Sequence, residues 1–259
     1  GTGRTEGSPN AITGSGGSGI VIIRYKYKLQ STPINIDYKY LAFTHNGYPK
    51  LAADSTNLKA WYKFDDDYND SSGNGNDLTQ TDTTLDTAFI GNGVYFDNTV
   101  DIVKTTNNFT SFDMNTTRTV SCWVKRTVTG ATRDFIWGQG PSSTGNQFGG
   151  TFKANNTLSL YIYSIIDVDT TTTYTNTGVF YHIVYTIGNG TAKIYVDGLE
   201  KASGSYTTAN IPTSPLYIGK QGLGGWGSTC IIDDFRIYDK ALSQEEITQL
   251  NTISTSTSY

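Results

Sequence analysis

Two groups of carboxylates are the residues of this chain whose type and spacing could bind a metal ion. The first group falls within a short stretch and comprises Asp65, Asp66, Asp67 and Asp70. The second group, Asp233 and Asp234, lies in a strand-like run near the other end of the sequence. Clustered carboxylate oxygens suit Ca²⁺, which binds about six to eight oxygens from carboxylates, backbone carbonyls and water. These aspartates lack the spacing of an EF-hand loop, so the fold would have to bring them together, and an Asx-rich turn over residues 70–75 is the alternative.

The acidic residues do not have the arrangement of a glycosidase. A retaining glycosidase needs two carboxyl groups about 5 Å apart, as when acids alternate along one face of a strand. The chain has four glutamates, none of them in such a run: Glu6, Glu200, Glu245 and Glu246. The sequence also lacks a Gly-x-Ser-x-Gly elbow, a phosphate loop, and histidines and cysteines at zinc-ligand spacing. We therefore predict that the protein is not an enzyme.

Side chains predicted to lie in loops could bind a sugar. Sugar recognition combines aromatic rings, which stack on the sugar, with amides and carboxylates, which bond its hydroxyls. Trp226, in the glycine-rich run GLGGWGS, is the leading candidate for an exposed aromatic platform. Its predicted companions come from other loops: Gln139, Asn146, Tyr174, Asn176 and Tyr206. The alternative for the companions is an ordinary role in a polar loop, and for Trp226 it is a ring that folds back to plug one end of the domain.

Short strands separated by turn residues must position these side chains. The β-rich runs cover residues 93–103, 118–126, 134–138, 148–154, 158–164, 180–187, 192–196, 215–219 and 230–238. The pair Asp197-Gly198 indicates a type I′ hairpin, because both central residues of that turn need positive φ. So many short strands predict an all-β fold of two packed antiparallel sheets, with Trp123 and Phe235 as leading core aromatics.

The segment after the last strand-like run has a complete helix start signal. Ser243 is the predicted N-cap, and Glu246 closes a capping box three residues later. Leu242 and Ile247 occupy the two positions of a hydrophobic staple, which fixes the angle between the strand and the helix. The sequence therefore predicts a short C-terminal helix.

Four separated motifs resemble one known family. The closing segment IDDFRIYDKALSQEEI is similar to the last strand of laminin-G-like, concanavalin A-type jelly-roll domains, and AWYKFDDDYNDSSGNGNDLT is similar to their opening. The segments TVSCWVKR and YHIVYTIGNGTAKIYVDGLEK resemble the central strands. The resemblance covers about residues 58–250 and implies a two-sheet antiparallel jelly-roll sandwich. It also implies a structural calcium between Asp65 or Asp66, after the first strand, and Asp233 in the closing strand.

Three further segments flank residues 58–250. Residues 1–28 are predicted to be a glycine-rich leader with one β run, and GSGGSGIVIIRYKY resembles the final strand of glycine-rich domains in bacteriophage and large-virus structural proteins. Residues 29–57 are a predicted linker that could hold an edge strand, and residues 251–259 are a polar tail. Because a single strand must pair with something, and the chain starts without methionine, we expect a longer parent protein or an oligomer.

Composition disfavours two classes of partner. The formal net charge is -4, the pI is about 5.1 and no basic run occurs, so a nucleic acid is not an expected partner. No stretch approaches the roughly 20 apolar residues that span a bilayer, so membrane insertion is not expected. Cys122 and Cys230 fall in two strands of the resembled domain, and a disulfide between them stays open, because it would need Cα atoms within about 7 Å.

These observations favour a binding module. We predict a non-catalytic glycan-binding module in a virion or cell-surface fibre or adhesin, located on the virion surface or outside the cell. Its partners would be host glycans or glycoconjugates and other fibre subunits, including copies of the same chain. The alternative is a structural or assembly module of a virion that binds no sugar. A sugar site predicts a concavity with exposed aromatics, whereas an assembly module predicts a broad apolar patch.

Overall fold

The computed structural model describes residue 54 and residues 56–97, 100–110, 112–113, 116–130, 133–222 and 227–255. They fall in one unit of the chain, Leu51–Tyr259. The predicted leader, most of the predicted linker, the end of the polar tail and Trp226 lie outside the described residues.

Two antiparallel sheets form the domain. The strands are β1 (Leu58–Tyr62), β2 (Leu78–Thr81), β3 (Thr84–Thr87), β4 (Asn92–Phe96), β5 (Ile102–Thr105), β6 (Phe112–Asp113), β7 (Arg118–Arg126), β8 (Arg133–Gln139), β9 (Phe148–Lys153), β10 (Thr157–Ile162), β11 (Ile166–Thr173), β12 (Tyr181–Gly188), β13 (Thr191–Val196), β14 (Leu199–Ser205), β15 (Asn210–Ile211), β16 (Leu216–Ile218) and β17 (Cys230–Tyr238). The first sheet has the order β14-β13-β12-β7-β17-β4-β3, and β1 also pairs with β17. The second sheet has the order β11-β10-β9-β8-β16-β5-β2, and β15 pairs separately with β6. This arrangement confirms the predicted all-β, two-sheet jelly-roll sandwich.

The closing strand β17 is flanked by two strands in succession on one side. Its first residues pair with β4, and its last residues pair with β1, so the first and last of the strands are neighbours. On its other side β17 pairs with β7, where a bulge lies between Asp233 and Arg236. Asp234 sits in this bulge with a φ of 47°. The predicted acidic pair therefore lies where the sheet is irregular.

The predicted turn and helix signals are confirmed. Asp197 and Gly198 have φ values of 51° and 79° and join β13 to β14. Helix α1 (Gln244–Thr255) follows β17. The Ser243 amide donates to Glu246 Oε2 at 2.8 Å, and the Glu246 amide donates to Ser243 Oγ at 3.3 Å, which is a closed capping box.

Two details of the sequence prediction are wrong. The predicted strand 93–103 is two strands, β4 and β5, and they belong to different sheets. The Asp97 amide donates to Asp101 Oδ2 at 2.7 Å, which links the residue after β4 to the residue before β5. Phe235 is in the core between the sheets, but Trp123 is buried outside this core, on the outer face of the first sheet.

Candidate functional site

A groove lies on the outer face of the second sheet. It has a volume of about 380 Å³ and is called the sheet groove below. Its lining residues are Arg133, Phe135, Tyr161, Tyr163, Ser164, Asp167 and Gln221. The groove thus combines aromatic rings with a guanidinium, a carboxylate, an amide and a hydroxyl, which is the mixture of groups that binds sugars.

Strand alternation and small residues build the floor of the sheet groove. Phe135, Thr151 and Ser159 lie opposite one another on β8, β9 and β10, and Gly149 lies opposite Tyr161 in a neighbouring row. The Phe135 and Tyr161 rings meet edge to face at 5.7 Å. A Cβ at Gly149 would lie 3.0 Å from Tyr161 Oη and would also meet backbone, so only glycine lets the tyrosine lie across this strand. The floor is therefore built of two aromatic side chains packed against each other and against the backbone of β9.

One hydroxyl in this floor has no partner. Tyr161 is 2% exposed, and its hydroxyl makes no hydrogen bond within the described part of the chain. A buried hydroxyl without a partner costs about 1–3 kcal/mol. Burial raises the pKa of Tyr161, so the group remains a neutral donor. This hydroxyl could bond a molecule bound in the sheet groove.

Charged side chains form one rim of the groove: Arg133 and Asp167 line it, and Lys153 and Asp169 lie next to them. Lys153 Nζ lies 2.8 Å from Asp167 Oδ2 and 2.6 Å from Asp169 Oδ2. One Arg133 Nη lies 3.5 Å from the same oxygen of Asp167. Asp167 and Asp169 stand opposite Tyr161 and Ser159 on β10, so strand pairing places both carboxylates beside the floor. The rim presents donors and acceptors side by side.

The side-chain amide of Gln221, bonded to that of Gln147, forms another wall of the sheet groove. Gln221 Nε2 donates to Gln147 Oε1 at 3.1 Å, and Gln147 Nε2 donates to the backbone oxygens of Gly140 and Gln221 at 3.1 and 3.3 Å. These bonds fix the chain after β16 against the loop after β8. Tyr163, which is 37% exposed, completes the lining.

The predicted sugar-binding residues do not come together at this groove. Gln139, Tyr174 and Tyr206 are buried, and Gln139 accepts a hydrogen bond from Arg118 at 2.6 Å, so these three side chains offer no exposed surface. The Asn146 side chain donates to Ser143 Oγ at 3.0 Å, a hydrogen bond within its own loop.

Two further predicted sugar-binding residues lie elsewhere. Asn176 is exposed, and its Oδ1 accepts a hydrogen bond from the Gly178 amide at 2.8 Å within its own turn. The prediction for Trp226 falls outside the described residues. Lys220 and Gly227, on either side of the undescribed residues 223–226, pair as an isolated bridge next to Gln221.

The sequence predictions did not include Phe135, Tyr161 and Tyr163, the aromatic residues that line the sheet groove. The signal was present in TLSLYIY, where Ser159, Tyr161 and Tyr163 alternate with core residues and must share one face. Alternation shows that they face away from the core, but it cannot show whether another element covers them.

Asp233 and Asp65 are the predicted calcium ligands that the fold brings near each other. Asp233 is fully buried; its Oδ2 accepts a hydrogen bond from the Ile90 amide at 2.8 Å, and its Oδ1 has no partner among the described residues. Burial, then the charges of Asp234 and Asp65, raise the pKa of Asp233 well above its ordinary value. Asp65 Oδ1 lies against Gly91, next to Ile90, where a Cβ would collide with it.

The remaining acidic residues of the predicted site have other environments. Asp66 is exposed. The Asp70 carboxylate accepts hydrogen bonds from the amides of Trp61, Ser72 and Asn76, so the alternative of an Asx-rich turn holds for this residue. Over the described residues, no three histidine, cysteine or acidic side chains cluster as a metal site would require. Any ion at Asp233 would therefore need backbone oxygens as well.

The disulfide that the sequence left open is absent. Cys122 and Cys230 are both buried and free. Cys230 stands opposite Arg126 on β7, four residues along the strand from Cys122. At roughly 3.3 Å per residue this offset is about 13 Å, which a disulfide cannot span.

The part of the outer face of the first sheet around Trp123 is closed and is called the closed face below; farther along the same sheet a cavity of about 330 Å³ lies between β12, β13 and the start of helix α1. Phe89 stacks on Trp123 with ring centroids 3.6 Å apart, and His182 stacks on the same indole at 4.9 Å. Ser121 Oγ lies 2.9 Å from His182 Nε2, but both residues are buried and His182 Nδ1 has no partner within the described chain. The pair therefore lacks both substrate access and the orienting carboxylate of a catalytic triad. Helix α1 packs on the same face of the sheet, against Val184, Tyr195 and Tyr238.

The fold and the sheet groove define a concanavalin A-like jelly-roll domain. A laminin G-type family, described as the concanavalin A-like lectin/glucanases superfamily, matches residues 97–248, and the chain belongs to this superfamily. Among curated proteins no sequence match is found. In the part of the chain that the structure describes, no helix is both long enough and apolar enough to cross a membrane.

Solved structures share this fold at low identity. The binding domain of Paraclostridial Mosquitocidal Protein 1 has a TM-score of 0.63 and 18% identity, over 77% of this chain and 52% of that one. Domain 4 of AbnA, a GH43 extracellular arabinanase from Geobacillus stearothermophilus in complex with arabinotriose, has a TM-score of 0.62 and 24% identity, over 75% and 98%. The receptor binding domain of botulinum neurotoxin D has a TM-score of 0.60 and 17% identity, over 77% and 53%. This chain spans about half the length of the two toxin structures.

Proposed function

We propose that this domain is a non-catalytic carbohydrate-binding module and that its ligand lies in the sheet groove. The observation that carries the proposal is the groove itself, an aromatic floor of Phe135 and Tyr161 beside the exposed ring of Tyr163, with an Arg, an Asp and a Gln around it. Support also comes from the similar structures, one of which holds arabinotriose while two are named as binding domains of toxins.

The rim charges favour binding over catalysis. Asp167 and Asp169 are near each other, as the two acids of a glycosidase are, but Lys153 Nζ lies within 2.8 Å of both. A glycosidase needs one acid that carries a proton and can give it to the leaving group. Because both carboxylates already have the same ammonium partner, they serve better as hydrogen-bond acceptors for hydroxyls.

The wider role that we propose is attachment by an extracellular or virion-surface protein, in which this domain engages host glycans. The rival role, an assembly module without sugar binding, would need a broad apolar patch. Within the described residues the exposed large apolar side chains are scattered over separate loops and one strand end: Val100, Val128, Tyr163, Val179 and Leu199. This distribution supports the glycan role.

A glycan array with the wild-type chain and Tyr163→Ala tests the proposal. We expect specific hits for the wild type and a loss of at least about tenfold in affinity for the variant, because stacking on an exposed ring is removed. Stability should change by less than about 0.5 kcal/mol, since the ring is at the surface. Tyr95→Ala, at a half-buried tyrosine of β4 in the other sheet, is the control and should keep binding. An array without hits, or full binding by Tyr163→Ala, would contradict the proposal.

The predicted platform at Trp226 stays a prediction. Trp226→Ala should erase glycan binding without a loss of stability if the ring stacks on sugar. A loss of stability with binding retained would instead indicate a ring that plugs the sandwich.

We also propose a structural Ca²⁺ held by Asp233 and Asp65. The residues fit such an ion, because Asp233 Oδ1 is buried without a partner among the described residues and the charges of Asp234 and Asp65 act on the Asp233 carboxylate. A bound Ca²⁺ would compensate these charges and tie the loop at Ile90 to β17. Asp65 is preferred to Asp66 because Asp65 acts on Asp233 electrostatically, whereas Asp66 is exposed.

Thermal unfolding with Ca²⁺ and with chelator tests the ion. We expect Ca²⁺ to raise the Tm of the wild type and of the control Asp66→Asn, and to leave the Tm of Asp233→Asn unchanged, because a ligand stabilises only the state that binds it. An equal rise in Asp233→Asn would remove this residue from the site.

A further inference from the structure

We infer that the sheet groove selects uncharged glycans and that Arg133 and Asp167 hydrogen-bond two neighbouring hydroxyls of the sugar. The inference rests on the proposed function of this groove. It concerns the chemistry of the ligand, which follows from the charges and from an unused hydroxyl at the site.

The charges at the rim already balance. Two cations, Arg133 and Lys153, face two anions, Asp167 and Asp169, over separations of 2.6–3.5 Å. A ligand carboxylate bound there would be a third anion and would lie close to both aspartates. Like charges brought together in a partly enclosed site repel each other, so a uronate or sialate costs more to bind than the matching neutral sugar.

The Arg133–Asp167 contact is also suited to hydroxyls. Lys153 holds Asp167 Oδ2 at 2.8 Å, and Arg133 reaches the same oxygen only at 3.5 Å. The guanidinium therefore makes a weak bond to Asp167 that a ligand can replace at little cost. One sugar hydroxyl can accept from the guanidinium while its neighbour donates to the carboxylate, so the pair matches a vicinal diol.

The unpartnered hydroxyl of Tyr161 adds a further bond. Its ring lines the groove, the residue is 2% exposed, and no described group bonds the hydroxyl. A polyol seated on the floor can satisfy this donor, and sites that bond a ligand hydroxyl discriminate strongly against ligands that lack it. Removal of this hydroxyl should therefore weaken binding without weakening the fold.

Matched neutral and acidic probes test the inference. Calorimetric titrations would compare galactotriose with trigalacturonic acid and lactose with sialyllactose, together with neutral and acidic members of an array. We expect neutral probes to bind at least about tenfold more tightly than their acidic partners. Tighter binding of the acidic partners, lost in Arg133→Gln, would overturn the inference.

Two tyrosine variants give the matched control. Tyr161→Phe should lower the affinity for the best neutral probe at least about fivefold and leave the Tm equal or higher, because an unsatisfied buried hydroxyl is removed. Tyr185→Phe removes another buried, unpartnered hydroxyl, from the core between the sheets, and should not change the affinity. Equal affinities of Tyr161→Phe and the wild type would overturn the role of Tyr161.

These outcomes separate the inference from the function on which it rests. If acidic probes bind best and Tyr163→Ala abolishes their binding, the glycan function stands and the selectivity is wrong. If neither neutral nor acidic probes bind the wild type, both the function and the inference are wrong.

Discussion

The outer faces of the two sheets contrast in what covers them. On the first sheet, helix α1 packs on Val184, Tyr195 and Tyr238, and the Phe89 ring covers Trp123. On the second sheet, strands of the same kind leave a groove of about 380 Å³ over Tyr161. Both faces carry aromatic rings on outward strand positions. The difference shows that an outward aromatic residue lines an open groove only where no other part of the chain packs over it.

The largest effect on stability should come from a substitution in the closed face. Trp123→Ala removes an indole that is 3% exposed and stacked between Phe89 and His182, so it should lower the free energy of unfolding by about 3–5 kcal/mol. Chemical denaturation measures this loss. Glycan affinity should not change if the two faces act independently. A fall in affinity with the fold intact would show that the closed face also takes part in binding.

The closed face should also respond to acid. Burial lowers the pKa of His182 from its ordinary 6.5 to about 3. The unfolded chain therefore binds a proton that the folded chain does not, and this stability contribution is present above about pH 6.5 and lost as the pH falls towards 3. The expected slope is at most about 1.4 kcal/mol per pH unit. Denaturation at several pH values should show that slope in the wild type and its absence in His182→Gln; parallel curves would contradict the neutral, buried histidine.

The smallest effect on stability should come from the rim of the sheet groove. Asp169→Asn leaves Lys153 one of its two ion-pair partners, and because the pair is at the surface the free energy of unfolding should change by less than about 0.5 kcal/mol. The groove gains one positive charge, so the affinity for trigalacturonic acid should rise severalfold while that for galactotriose stays constant. Unchanged selectivity in calorimetry would show that the rim charges do not control the ligand.

Sequence motifs predicted most of the fold, because strand alternation and the capping box are local signals. The Asp197-Gly198 hairpin and the Ser243–Glu246 cap each depend on neighbouring residues and were found correctly. The division of residues 93–103 between two sheets depends on which distant strands pair with β4 and β5, and no local pattern encodes that.

The residues of the candidate site were harder to predict for a related reason. Glycine-rich and polar loops suggested Gln139, Tyr174 and Tyr206, but these side chains pack into the ends of the sandwich, where apolar and hydrogen-bonding partners are available. Tyr161 and Tyr163 fall in a run that was predicted to be a strand, and only the packing of the whole chain shows that Tyr161 lines a groove and that Tyr163 stays 37% exposed. Exposure is a property of the complete fold.

The position of β17 has a consequence for synthesis of the chain. This strand lies between β7 on one side and β4 and β1 on the other, and it is the last strand to be translated. Until Cys230–Tyr238 has left the ribosome, β1 and β4 have no neighbour that connects them to β7. The first sheet therefore closes only after translation of nearly the whole domain, and a nascent chain held short of residue 230 exposes the edges of β7, β4 and β1 to other chains.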